Sequence, residues 1–243
     1  MNKNVKKGTN NIVDFYKNYR GTPSLVFEIF AGIIAAIGSL YIFLKISNKI
    51  VAKEIIFFDQ IIIDFIHAFE SPLLTKIMKF VTFFGGEIFI GGAVIITISV
   101  LILTRHRKDA FLFGFILVFG IILNLWLKGF FERARPDLFA MLIEKTYSFP
   151  SGHSMNSFVF FMSISYFIFH NNRNKKLSIT LTLISGLIVF LIGISRIYLG
   201  VHYPSDVLGG YAAGLLWFVG VLLFEKILIF LRLFKKYELE NKY

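Results

Sequence analysis

The stretch FPSGHSMNSFVFFMSISYFIF, residues 149–169, sets a proline, a Ser-Gly pair and a histidine at the threshold of a long apolar run. A run of roughly 20 apolar residues is what a helix needs to cross a hydrocarbon core of about 30 Å. The same pattern recurs outward from this stretch in both directions, and it decides the fold class. The chain of 243 residues is 56% hydrophobic and 17% aromatic, with 30 Phe, outside the range of soluble domains. Six spans are predicted at about 24–45, 83–104, 110–130, 154–170, 177–198 and 207–231. The expectation is one all-α integral membrane domain over 1–243, a bundle of six transmembrane helices. The first span is too long for a secretory h-region and is preceded by a polar, basic stretch, so it reads as a retained anchor.

Cysteine is absent, which excludes a disulfide framework, a cysteine nucleophile and a thiolate metal site. The net charge of +11 is scattered over short segments between spans and is not gathered on one polar face, so it points to topology and not to nucleic acid. Lys3, Lys6, Lys7, Lys17 and Arg20 precede span 1, TRHRKD and HNNRNKK join spans 2–3 and 4–5, and Arg232, Lys235, Lys236 and Lys242 follow span 6. The positive-inside rule then puts both termini, 1–23 and 232–243, in the cytoplasm of a cell membrane. The outer segments become 46–82, 131–153 and 199–206. In the first of these, EIIFFDQIIIDFIHAF is short and amphipathic and is expected as a helix lying in the outer interface, with His67 as a packing or surface residue.

Cations that this rule leaves over gather at the outer ends of spans 3, 4 and 5. Lys128 and Arg135 lie in LKGFFERARPD, His153 in PSGHS, and Arg196 and His202 in SRIYLGVHYPSD. Taken singly, each could be a snorkelling interface anchor. Together they outnumber the nearby carboxylates Glu132, Asp137 and Asp206, and an anion is needed to complete the set. Lys supplies a point charge and Arg a fork suited to phosphate oxygens. Ser151 and Gly152 stand before a helix start, where free N–H groups and the helix dipole favour an anion, and Pro150 suits the first helical position. His202 lies four residues before Asp206, so the carboxylate can hold one ring nitrogen while the other attacks. His153 is then available as the acid. Cleavage through a phosphohistidine needs these two roles, with cations facing the equatorial oxygens and neither metal nor cofactor.

Lys128-x6-Arg135-Pro136, Pro150-Ser151-Gly152-His153 and Ser195-Arg196-x5-His202-x3-Asp206 together resemble the three-part signature of the type 2 phosphatidic acid phosphatases, the lipid phosphate phosphatase superfamily. The resemblance implies a helical bundle with its site near the outer leaflet. It implies phosphate binding by Lys128, Arg135, Ser151, Gly152 and Arg196, a nucleophile at His202 assisted by Asp206, and a general acid at His153. Soluble acid phosphatases and vanadium haloperoxidases share the signature, but the spans argue for a substrate whose chain stays in the bilayer. Bacterial members of this size act on phosphatidylglycerol phosphate, phosphatidic acid, diacylglycerol pyrophosphate or undecaprenyl diphosphate. A phosphotransferase using the same intermediate, and a non-catalytic anion or lipid transporter, are the competing readings; no internal repeat supports the transporter. Arg133 is read as a contact to a second phosphate or headgroup, or as a solvated loop cation. Glu87, after Gly85-Gly86, is read as a site or entrance residue, or as a capping or interface carboxylate. Gly209, Gly210, Ala213 and Gly214 read as helix packing. Oligomeric state is left open.

Overall fold

A computed structural model describes residues 22–136, 140–142 and 144–240; residues 1–21 of the cytoplasmic tail expected at 1–23, Asp137 and Lys242 lie outside the described residues. Those residues form eight helices: α1 (Thr22–Val51), α2 (Ile56–His67), α3 (Pro72–Phe83), α4 (Glu87–Leu103), α5 (Arg107–Phe131), α6 (Gly152–Asn171), α7 (Lys175–Tyr198) and α8 (Pro204–Glu240). No strand occurs among them. Among the described residues five stretches are long and apolar enough to cross a membrane: Pro23–Val51, Pro72–Leu103, Arg107–Phe131, Lys175–Tyr198 and Pro204–Tyr237. The position expected for the fourth span is held by α6, which buries Ser154, Ser157, Ser163 and Ser165 and is not one of these five.

Two boundaries differ from the sequence reading. At the C-terminal end α8 runs on to Glu240, past the limit of 231 expected for the sixth span. The segment 46–82 is not a single outer stretch, because α1 continues to Val51 and the second apolar stretch already begins at Pro72. The cause is local. Ser71 accepts a hydrogen bond from the Leu74 N–H at 3.3 Å, and Pro72 follows with the φ a first helical turn requires, which starts α3 well before the Gly85-Gly86 break. The helix expected over EIIFFDQIIIDFIHAF is α2. It buries Asp59 and Ile63 and leaves Phe57, Ile61 and Phe65 exposed.

The described chain divides into two compact units. In the smaller, residues 22–38 and 219–240, Lys226 pairs with Glu28 at 2.8 Å. The larger, residues 39–218, holds all the residues of the three-part signature. There α6 packs between α5 and α7, while α3 and α2 lie against α7. Beneath the signature residues sits a core of Phe43, Leu127, Phe149, Met155, Ala212 and Ala213. Phe149 is fully buried, stacked on Phe43 at 5.7 Å and edge-on to Phe131 at 4.9 Å. Lipid tails are as apolar as these rings, so close packing and not water exclusion fixes the helices. At Gly210 a Cβ would stand 2.8 Å from the Ser151 carbonyl oxygen, so only glycine lets α8 come this close to the start of α6.

Candidate active site

Helix α5 ends at Glu132, whose left-handed φ of 46° closes the helix through an N–H bond to the Lys128 carbonyl at 3.0 Å. The chain then returns across the helix ends. Ser148 N–H reaches the Arg133 carbonyl at 2.8 Å, and Met141 N–H reaches the Leu199 carbonyl at 3.0 Å. This connection brings side chains far apart in sequence to one place.

Lys128 is buried and donates to the Thr146 hydroxyl at 3.2 Å and to the Tyr147 carbonyl. Arg135 spreads its fork over the same loop: Nε to the Thr146 carbonyl at 2.7 Å, Nη1 to the Val201 carbonyl at 2.7 Å, and Nη2 to the Thr146 hydroxyl at 3.1 Å. Its Nη1 also lies 3.2 Å from Nε2 of His202. Arginine has no acceptor, so His202 Nε2 carries the lone pair and the ring proton sits on Nδ1. That tautomer is the one a nucleophilic Nε2 requires.

On its other side His202 meets two groups at once. Nδ1 lies 3.5 Å from Asp206 Oδ2 and 3.4 Å from the Ser148 hydroxyl, which itself donates to Asp206 Oδ2. Asp206 does reach the imidazole as the i, i+4 spacing implied, but loosely, with Ser148 bridging the pair. The Tyr203 N–H adds a bond of 2.9 Å to the same carboxylate oxygen. Burial pushes the His202 imidazole down to about 4, with Arg196 and Arg135 adding to the effect and Asp206 opposing it. The ring is therefore neutral across the physiological range.

Arg196 is 1% exposed and donates to the Thr82 hydroxyl at 2.9 Å and to Glu144. Its Nε is buried and makes no hydrogen bond among the described residues. Glu144 also stands 3.9 Å from Arg135. Burial pushes its carboxyl up, but Arg196 and Arg135 outweigh that and hold it below the usual carboxylate range. This acid escaped the sequence reading, which weighed Glu132, Asp137 and Asp206 against the cations. Ser148 and Thr146 escaped it too. None of the three belongs to a periodic pattern, and only proximity to the signature could have flagged them.

The start of α6 differs from expectation in one detail. Ser151 is the N-cap, accepting from the Ser154 N–H at 3.4 Å, so Pro150 precedes the cap and is not the first helical residue. The Ser151 N–H is engaged by the Asp206 carbonyl at 3.0 Å, and its side chain is buried. The N–H groups of Gly152 and His153 are those that a helix start leaves without an acceptor one turn back. At Gly85 a Cβ would meet Ile192 at 2.6 Å, so only bare backbone lets the α3–α4 turn pack this closely on α7, beside the His153 ring.

Arg133 is held in an ion-pair network that the sequence reading did not anticipate. Its Nη1 donates to Asp206 Oδ1 at 2.5 Å and to Ser205 Oγ at 2.8 Å, its Nη2 donates to Asp59 Oδ2 at 2.8 Å, and its guanidinium lies 4.1 Å above the Tyr203 ring. Asp59 and Asp206 are almost fully buried, and breaking a buried pair of this kind costs about 3–5 kcal/mol. Outside this network, His67 packs parallel to Tyr198 at 5.9 Å, with Nδ1 3.4 Å from Glu70.

A cavity of about 400 Å³ joins these groups. Lys128, Arg135, Glu144, Gly152, His153 and His202 line its polar end, and Ile90, Val94, Leu117, Val118 and Ile121 from α4 and α5 line the remainder. Glu87 lines it as well, as the exposed first residue of α4, whose N-cap is Gly86. Arg196 reaches the polar end through Glu144, while Ser151 stands behind Gly152 as its cap.

An all-helical apolar scaffold with a cation- and histidine-lined cavity against an aliphatic wall defines a class of membrane phosphatases. The chain belongs to one of them, the PAP2 superfamily, whose family model matches residues 109–229, and it is a membrane lipid phosphatase. It is 39% identical over 155 residues to phosphatidylglycerophosphatase B of Bacillus subtilis, covering 61% of this chain and 74% of that protein. It is 30% identical over 141 residues to the lipid A 4'-phosphatase of Porphyromonas gingivalis, covering 51% of this chain and 56% of that one. The crystal structure of the transmembrane PAP2 type phosphatidylglycerolphosphate phosphatase from Bacillus subtilis superposes with a TM-score of 0.74 at 33% identity, over 79% of this chain and 96% of that chain.

Proposed function

We propose that the protein hydrolyses the terminal phosphate of a lipid phosphate or diphosphate through a phosphohistidine on His202. The observation that carries this reading is the cavity whose polar end holds Lys128, Arg135, His153 and His202 and whose remainder is aliphatic. The lone pair on His202 Nε2 attacks phosphorus, and the bond from phosphorus to the lipid oxygen breaks. His153 supplies the proton that oxygen takes up, and Lys128, Arg135, Arg196 and the N–H groups of Gly152 and His153 face the charge on the equatorial oxygens. Water then attacks phosphorus and gives its proton to His153, and the N–P bond breaks to release inorganic phosphate and restore His202. Asp206 supports the imidazolium character that His202 gains in the first step and loses in the second.

Phosphatidylglycerol phosphate is the first substrate candidate, supported by likeness to the Bacillus subtilis enzyme; phosphatidic acid and undecaprenyl diphosphate follow. The lipid chain would lie along Ile90, Val94, Leu117 and Ile121. We place α6 in the membrane as a sixth span, both termini in the cytoplasm and the site at the outer face, on the strength of the Arg and Lys residues of the 104–109 and 170–176 connections. The test is phosphate release by the purified protein from these three lipids at equal surface concentration in EDTA. Release from at least one of them, abolished by His202→Ala in a protein that still melts cooperatively, is expected; activity that depends on added Mg²⁺ would overturn the metal-free route.

A further inference from the structure

Asp59 and Ser205 are 146 residues apart in sequence, yet the Asp59 carboxylate accepts from the Ser205 N–H at 2.8 Å and from the Ser205 hydroxyl at 2.7 Å. Its Oδ2 also takes the Arg133 Nη2 hydrogen bond, and Arg133 Nη1 holds Asp206 Oδ1. Asp59, on α2, contributes nothing to the cavity lining, and neither does Arg133 to the cavity that His202 faces. We infer that Asp59 and Arg133 form a positioning relay that fixes the orientation of Asp206 and sets how much of its charge reaches His202, so that α2 is coupled to the reacting histidine.

The reasoning is electrostatic and geometric. The two oxygens of Asp206 have separate partners: Oδ1 faces Arg133, while Oδ2 faces Ser148, the Tyr203 N–H and His202. Arg133 thereby fixes the carboxylate plane and draws charge away from the imidazole, and Asp59 limits that draw by sharing the guanidinium. The other charged groups that act on His202 are Arg135 and Glu144 from the α5–α6 connection, His153 on α6 and Arg196 on α7, with Lys128 on α5 acting on Asp206. None of these touches Asp59 or Arg133 in the hydrogen-bond network above.

The inference rests on His202 being the nucleophile, and the test separates the two. With full-length protein in detergent micelles containing phosphatidylglycerol phosphate, the pH dependence of kcat/KM is measured for wild type, Asp59→Asn, Arg133→Gln and the Asp59→Asn/Arg133→Gln double variant, with His202→Ala alongside. Neutralising Asp59 leaves Arg133 to act on Asp206 alone, so the imidazolium is disfavoured and the acid limb moves to lower pH. Removing Arg133 leaves Asp206 without its counter-cation, so the limb moves to higher pH. The double variant strands no charge on Asp59; it reports the same upward movement should Arg133→Gln alone fail to fold. In each variant kcat falls on the order of ten- to a hundredfold, as for residues that orient a reacting group through another, with KM within roughly twofold. Acid limbs that stay in place, or that move the same way in Asp59→Asn and Arg133→Gln, overturn the relay. Turnover by His202→Ala instead overturns the nucleophile assignment and leaves the wild-type limb to some other group.

Discussion

Nη1 of Arg135 lies 3.2 Å from Nε2 of His202, a guanidinium donor facing the ring nitrogen proposed to attack phosphorus. The contact specifies the tautomer of the resting enzyme and places a phosphate-binding cation beside the reacting atom. Arg135→Lys keeps the charge but loses the fork that bonds Thr146, Val201 and His202 together. A fall in kcat/KM of about a hundredfold, near 2.7 kcal/mol of transition-state stabilisation, is expected from steady-state phosphate release, with the thermal midpoint little changed.

The acid limb of kcat/KM reports the free enzyme's base. Burial lowers His202 from 6.5 to about 4, so the nucleophile stays neutral well below the usual histidine range. A titration of kcat/KM should show its lower limb far below pH 6.5. The same depression has a stability consequence of defined sign. Below pH 6.5 the unfolded chain binds a proton that the folded protein refuses, so stability is lost as pH falls from 6.5 and levels off below about 4. Thermal melts of wild type and His202→Gln over that window should converge towards low pH.

Glu144 supplies Arg196 with an internal counter-anion, and Arg135 stands 3.9 Å away. An entering phosphate competes with that carboxylate for the same cations. Glu144→Gln is expected to tighten inhibition by orthophosphate and vanadate by roughly threefold to tenfold, about 0.7–1.4 kcal/mol, without raising kcat. Unchanged inhibition constants would show that the carboxylate and the phosphate use different donors.

The aliphatic wall can be tested apart from the chemistry. Gly91 lines the cavity, and a Cβ there would meet nothing within 4 Å. Gly91→Phe should narrow the wall and raise KM for long-chain lipid phosphates about tenfold while sparing a short-chain, water-soluble phosphate ester. Equal effects on both substrates would contradict a lipid chain seated along α4 and α5.

The sequence was legible where local physics was sufficient. Apolar run length marked α5 and α7 to within a few residues and the start of α8, and the unexplained cations of three separate spans pointed to Lys128, Arg135, His153 and His202, which line one cavity, and to Arg196, which reaches it through Glu144. It was not legible where partners come from distant segments. Asp59 reads as one charge on the polar face of α2, and nothing in its neighbourhood shows that Arg133, 74 residues on, will bury it. Arg133 was open to two readings for the same reason, and neither named its carboxylate partners. Ser148 and Glu144 sit in an aperiodic connection whose path is set by bonds from Arg133, Arg135 and Leu199, groups that only the folded chain brings near. The early start of α3 was readable from Ser71-Pro72, but the charge balance of 46–82 concealed it.

The central claim is that His202 carries the phosphoryl group. Acid-stable adducts are not expected of a phosphohistidine, so the direct measurement is alkaline quenching of the enzyme during turnover of a lipid labelled with ³²P in its terminal phosphate, followed by peptide mapping. The account predicts label on the peptide containing His202 in wild type, accumulating in His153→Ala with a lipid whose leaving group needs no protonation, and none in a folded His202→Ala protein. Label on another residue, or phosphate release by His202→Ala at the wild-type rate, would contradict it.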